Sequence, residues 1–228
     1  MKTKLRSIYF IPVVVSLSVM AFQHVSAQDQ KVNFGLQISP LLSWMKPDVK
    51  TISSTGNRFG FSYGLMLDYN LTQNYAFSTG LTVAQNGGTL KYDNLLAFKT
   101  ETKTDTFPAN SEVSYRLQYI EIPLCLKLKT NEIGYMTYFG QFGLSTGINI
   151  KAKGDIKNGS KDLVDEKINK EVNFLNLGLI MGGGVEYSLG GKTALQGGLY
   201  FNNGFVDVTD DKDKAILNYL SLKVGIMF

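Results

Sequence analysis

Apolar residues recur at every second position along most of this chain, while the positions between them carry almost no charge. Phe34, Leu36 and Ile38 alternate with Asn33, Gly35, Gln37 and Ser39. Phe61, Tyr63, Leu65, Leu67 and Tyr69 alternate with Ser62, Gly64, Met66 and Asp68. A period of two puts alternate side chains on opposite faces of a β-strand. In a soluble sheet the face opposite the apolar one meets water and is rich in charge. Here it is Gly, Ser, Thr, Asn, Gln and Ala, which suits the inside of a narrow barrel whose apolar face meets lipid. A soluble β-sandwich or lipocalin-like barrel is the competing reading of the same alternation.

Eight such spans are predicted, at 32–42, 59–69, 75–86, 115–128, 135–148, 173–187, 193–203 and 217–228. Only six charged residues fall in them: Asp68, Arg116, Glu121, Lys127, Glu186 and Lys223. The connections run 16, 5, 28, 6, 24, 5 and 13 residues, so long and short alternate. That is the pattern of an eight-stranded antiparallel transmembrane up-and-down β-barrel with short periplasmic turns and long extracellular loops. Closure is required because unpaired backbone groups are costly in lipid, so the first and last strands are expected to pair. In the fourth span Leu117 and Tyr119 hold one parity, and Ile122, Leu124, Leu126 and Leu128 the other. A bulge near Ile120 is expected to restore one apolar face and to accommodate Pro123, which cannot donate to a ladder.

The address agrees. Lys2, Lys4 and Arg6 precede an apolar run of 15 residues, Ile8 to Phe22, and Val25-Ser26-Ala27 closes it. This is the layout of a cleaved signal peptide over 1–27; a membrane-spanning helix needs about 20 apolar residues. The expected mature domain, 28–228, is exported to the bacterial outer membrane. It holds 20 basic against 19 acidic side chains, one cysteine and no histidine. Histidine-based triads and His-ligated metals are thereby excluded, as is a Cys-rich zinc site. The near-neutral charge gives no footprint for nucleic acid. No catalytic, cofactor-binding or metal-binding residues, and no cofactor, are assigned.

By parity the six strand charges face the lumen, where three acids and three bases form a structural ion network. Cys125 shares that face as a small filler. An eight-stranded lumen is filled by side chains, so little stable ion conductance is expected, and passive transport of small solutes is the remotest reading. Phe228 ends the last strand as an aromatic of the kind read by the outer-membrane assembly machinery. The long connections carry the candidate contacts. A Leu95-Leu96-Ala97-Phe98 patch is placed to dock a partner or fold onto the barrel mouth. The mixed-charge stretch from Lys151 to Lys170 reads as a solvated loop with a short helix over Asp162 to Asn169. Expected partners are outer-membrane lipid and lipopolysaccharide, the assembly machinery, and a protein at the loops.

Three segments add a resemblance. Phe34-Gly35-Leu36 with Ser39-Pro40, then Tyr119-Ile120-Glu121-Ile122-Pro123-Leu124, then Gly182-Gly183-Gly184-Val185-Glu186-Tyr187 occur in that order. Together they resemble the small Bacteroidota outer-membrane β-barrel family called PorT-like, over nearly all of 31–228. Tyr119, Glu121 and Pro123 carry its most specific motif. The family name comes from a component of the type IX secretion apparatus, so the resemblance implies a possible export-accessory role beside a structural, surface-interaction one. It brings no catalytic residues.

Overall fold

The computed structural model describes residues 31–99, 104–157, 162–209 and 214–228. The expected signal peptide at 1–27 lies outside them. Among the described residues twelve strands occur in chain order: β1 (Val32–Pro47), β2 (Ile52–Gly56), β3 (Arg58–Asn70), β4 (Tyr75–Tyr92), β5 (Leu96–Lys99), β6 (Thr104–Phe107), β7 (Ser111–Lys129), β8 (Met136–Lys157), β9 (Leu163–Lys167), β10 (Leu175–Gly190), β11 (Thr193–Gly204) and β12 (Ala215–Met227). No helix occurs among the described residues. Eight strands, β1, β3, β4, β7, β8, β10, β11 and β12, pair antiparallel with their neighbours, and β12 pairs with β1 to close the wall. Gly35 lies opposite Met227, and Phe228 exchanges both backbone hydrogen bonds with Phe34. The fold is a closed eight-stranded antiparallel β-barrel, as the alternation predicts.

The outer wall is apolar over a band bounded by aromatics. At one end stand Phe59, Phe61 and Tyr63, with Trp44 stacked on Phe201 at 6.2 Å. At the other stand Tyr69, Tyr75, Tyr138 and the Tyr135–Tyr187 pair at 6.2 Å. From Phe61 to Tyr69 the strand climbs about 27 Å along its own axis. Tilted, this matches an apolar band roughly 25 Å tall between aromatic girdles.

The end with short connections is tightly turned. Gly190 and Gly191 have φ of 98° and 63°, a left-handed pair that only glycine adopts without strain, and they join β10 to β11. Asn74 donates its side-chain amide to the Lys129 carbonyl at 3.0 Å and so ties the β3–β4 turn to β7. The opposite end differs from the expected open loops. β4, β7 and β8 have 18, 19 and 22 residues, against about 9–11 needed to cross a bilayer. They carry the wall well beyond the apolar band. β2 pairs with β4 and β9 with β8 at this extended rim, while β5 and β6 form a hairpin within the second long connection.

Three sequence expectations are corrected here. Residues 163–167 form strand β9 rather than part of a helix, because they add to the rim of β8. β8 continues to Lys157 through the charged stretch, since charges at this height face water from a strand as readily as from a loop. No bulge occurs at Ile120. β7 alternates without a break from Ser111 to Lys127, and the irregularity lies across from it, where Ile150 of β8 is the extra residue between the partners of Gln118 and Tyr119. Pro123 is tolerated in a different way. It keeps Ser145 of β8 opposite it, while the β4–β7 ladder is interrupted at Gly80 and Leu81. Pro40 likewise keeps Phe61 of β3 opposite and interrupts the β1–β12 ladder.

Candidate functional site

The lumen is filled by two kinds of packing. Toward the turn end it is ionic. Alternation on β7 points Glu121, Cys125 and Lys127 inward, and Cys125 is buried beside Phe139, Ile180 and Tyr200 as the expected filler. Lys127 Nζ donates to Asp68 Oδ2 at 2.6 Å, to Gln196 Oε1 at 2.9 Å and to Glu186. Ser78 donates to the other Asp68 oxygen at 2.6 Å, and Lys129 reaches Glu186 at 3.2 Å. Lys127 is 1% exposed, so two carboxylates and an amide oxygen satisfy its three donors away from water. Its ammonium also lies 4.5 Å from the Phe139 ring centre.

Higher in the lumen, Tyr219 donates to Glu121 Oε2 at 2.8 Å. Lys223 sits over the Tyr200 ring at 4.1 Å. The Tyr200 hydroxyl bonds to Gln141 and accepts from Gln196. The polar lumen thus separates into an Asp68–Lys127–Lys129–Glu186 cluster and a Glu121–Tyr219 pair on the loop-end side of Lys223. A cavity of about 30 Å³ remains among Gln37, Thr82, Glu121, Tyr219 and Lys223. That is room for about one water.

Lys129, Gln196, Tyr200 and Tyr219 are network members that the sequence reading passed over. Lys129 was legible, since it follows Lys127 by two and so shares its face, but it falls one residue beyond the predicted span. The aromatic hydroxyls carried no distinguishing signal, because tyrosine suits either face of a barrel wall.

Toward the loop end the lumen is apolar. Met45, Leu90, Phe98, Phe107, Val113, Tyr115, Leu117, Tyr119, Ile156 and Ile168 form one buried cluster. Leu96 and Phe98 of the 95–98 patch fold into it, and Phe98 meets Tyr115 edge-on at 6.4 Å, whereas Leu95 stays exposed. The patch lies on the barrel mouth. Tyr92 and Tyr115 share a hydroxyl–hydroxyl bond of 2.8 Å inside this core.

Arg116 does not join the lumen network. Its even position on β7 places it on the outer wall, where it meets Asp155 Oδ1 at 2.7 Å and Asp165 Oδ1 at 2.9 Å. The expected inward placement rested on a bulge that the strand does not have. Lys153 also pairs with Asp165. Asp165 adopts φ of 61°, and its backbone N–H donates to Asp155. The Lys153 hydrogen bond holds the Asp165 carboxyl below the usual carboxylate range, with Arg116 adding to the effect. Glu121, Tyr119 and Pro123 of the motif all sit on the inward face of β7, and Phe228 lies at the turn end of the closing seam.

Three solved structures are among those similar to this chain. Neisserial surface protein A is 14% identical, with 85% of this chain and 95% of that one covered at a TM-score of 0.48. OprG of Pseudomonas aeruginosa is 9% identical, with 87% and 97% covered at 0.47. The Escherichia coli outer membrane protease OmpT is 7% identical, with 90% and 99% covered at 0.46. No curated protein matches the sequence. The family model described as outer membrane protein beta-barrel domain matches residues 26–210, which takes in every wall strand except β12. With its closed wall, apolar outer band and paired aromatic girdles, this chain belongs to that outer membrane β-barrel family.

Proposed function

We propose that this is a non-enzymatic surface-interaction protein of the outer membrane, whose working part is the raised loop end of the barrel. One observation carries the reading. The rim is not a set of loose connections but a built platform, in which β4, β7 and β8 rise past the apolar band and enclose the buried cluster around Phe98 and Tyr115. A solvated apolar core costs conformational entropy to assemble, and it supports a surface of defined shape for a partner. In this orientation the short turns face the periplasm and the rim faces outward. Phe228, at the end of the closing strand, is then the mark read by the assembly machinery.

The experiment is a rim exchange. Residues 93–110 are replaced by a short Gly-Asn turn, and surface crosslinking of intact cells compares the captured proteins with those of the full chain. Loss of the captured set with retention of the folded barrel supports the reading. Retention of every partner removes it.

The motif of Tyr119, Glu121 and Pro123, with its PorT-like resemblance, favours a second reading as an accessory of a type IX secretion apparatus. A clean deletion distinguishes the two. Accumulation of export cargo in the periplasm supports the secretion role, and an unchanged secretome leaves the surface-interaction reading in place.

A further inference from the structure

The outer wall carries a second feature just above the apolar band. Arg58, Arg116, Lys151 and Lys153 converge on a cleft of about 160 Å³, with Gln85, Asn86 and Gln118 beside them. About five waters would fill that volume. Neighbouring strands bring these residues together. Register places Arg116 opposite Lys153 and Gln118 opposite Lys151, and Gly87 of β4 lies opposite Arg116.

Gly87 shapes the cleft. A Cβ there would stand 2.0 Å from the Tyr115 carbonyl oxygen and 3.1 Å from Cδ of Arg58, and its φ is 148°. The Arg58 stem therefore lies across a position only glycine can occupy. Ser43 completes the local frame. Its hydroxyl accepts the Gly87 N–H at 2.9 Å and donates to the Arg58 carbonyl at 3.2 Å.

Four cations face two carboxylates. Asp155 and Asp165 hold Arg116 and Lys153. Arg58 and Lys151 form no ion pair among the described residues, so the cleft keeps a net charge of +2. An unpartnered donor borders it as well: Arg116 Nε is buried without a partner. Buried polar atoms ordinarily find partners, so this orphaned donor beside a cationic cleft calls for an acceptor from outside the chain.

The height of the cleft identifies its source. Ile120 and Val83 face lipid two residues below Gln118 and Gln85, a climb of about 7 Å along the strand. Phe59, among the most exposed residues of the wall, flanks Arg58. The headgroup zone on each side of a bilayer is about 5–8 Å deep, so Lys151, level with Gln118, sits where lipid phosphates lie, and Arg116 and Lys153 stand one residue pair above it. Guanidinium groups bind phosphate through paired N–H donors and ammonium groups as point charges. We propose that this outer-wall cleft binds a phosphate group of a phosphorylated glycolipid in the surrounding leaflet. The proposal rests on the outward orientation of the rim but not on any protein partner there.

The test uses the full chain in detergent micelles, where orientation plays no part, stripped of native lipid and offered lipid A. Native mass spectrometry reads retention of lipid A, of the same lipid dephosphorylated, and of lipid A in the presence of millimolar inorganic phosphate. Phosphorylated lipid is expected to be retained at least about 10-fold better than the dephosphorylated form. The variant R58A/K151A is expected to lose about 10-fold, and R58K/K151R to recover most of it. Heat-modifiable gel migration confirms folding in each case. K151E, which changes a single exposed side chain, gives the same readout should the double variant fail to fold. Equal retention of dephosphorylated lipid, or wild-type retention by K151E, overturns the proposal. Displacement of lipid A by millimolar inorganic phosphate also overturns it, by making the cleft a site for the free ion. The rim exchange leaves these four cations in place, so it fails or succeeds independently of this assay.

Discussion

The two halves of the barrel solve the same packing problem with opposite chemistry. In the turn-end half the wall is apolar outside and ionic inside, with Lys127, Asp68 and Glu186 at its centre. In the loop-end half the wall is charged outside and apolar inside, with Arg116 and Asp155 on the surface and Tyr115, Leu117 and Tyr119 within. β7 passes through both. Its odd residues face inward throughout, yet the apolar residues move from odd to even between Tyr119 and Ile120. The inversion marks the height at which the surroundings change from water to lipid. Where lipid lies outside, apolar side chains gain nothing from facing inward. Where water lies outside, the lumen is the place to bury them.

If the ionic half is held by satisfied charge, removing one partner has the largest effect. Lys127→Met leaves Asp68 and Glu186 facing each other in a closed lumen, and is expected to cost about 3–5 kcal/mol. The urea midpoint of refolding in micelles measures it. If the upper half packs as a water-soluble core, it answers to cavities. Phe98→Ala is expected to cost about 3 kcal/mol, appearing as protease cleavage within 93–110 while the lower barrel stays resistant. Cleavage spreading into β7 below Ile120 would show that the halves unfold together. The Glu121–Tyr219 contact sits between the two. Tyr219→Phe removes the donor to a buried carboxylate and is expected to cost about 1.5–3 kcal/mol, measured by the same urea titration. The smallest effect belongs to the outer wall, where Lys153→Ala removes an exposed pair and is expected to leave the midpoint unchanged. Planar-bilayer recording tests both halves at once. With a lumen cavity of about 30 Å³ beneath an apolar cluster, no stable single-channel steps are expected, and large reproducible steps would break the picture of a filled barrel.

Much of this is legible in the chain. The alternation from Phe34 to Ile38 and from Phe61 to Tyr69 places the outer face without ambiguity, because a one-residue slip would invert every side chain. It gives eight wall strands, their order and the short turns. It also places Asp68, Glu121, Lys127, Glu186 and Lys223 inward, since parity needs no tertiary knowledge once the lipid face is known. Arg116 is misplaced by the same logic. The parity change in β7 reads as a bulge only if apolar residues always face outward, and above the band they face inward. Charge at Lys151, Lys153 and Asp155 reads as the end of a strand, whereas it marks the end of the apolar band.

The wall is written in the chain alone: a strand's period of two is local, and lipid imposes one polarity on every strand that crosses it. The contacts across the lumen and along the rim are set by the assembled barrel. Lys127 finds Asp68 and Glu186 through strands far apart in the chain. Arg58, Arg116 and Lys151 share a cleft because register between β4, β7 and β8 sets them at one height. The register and the shear of a closed barrel are properties of all eight strands together, and no single strand encodes them.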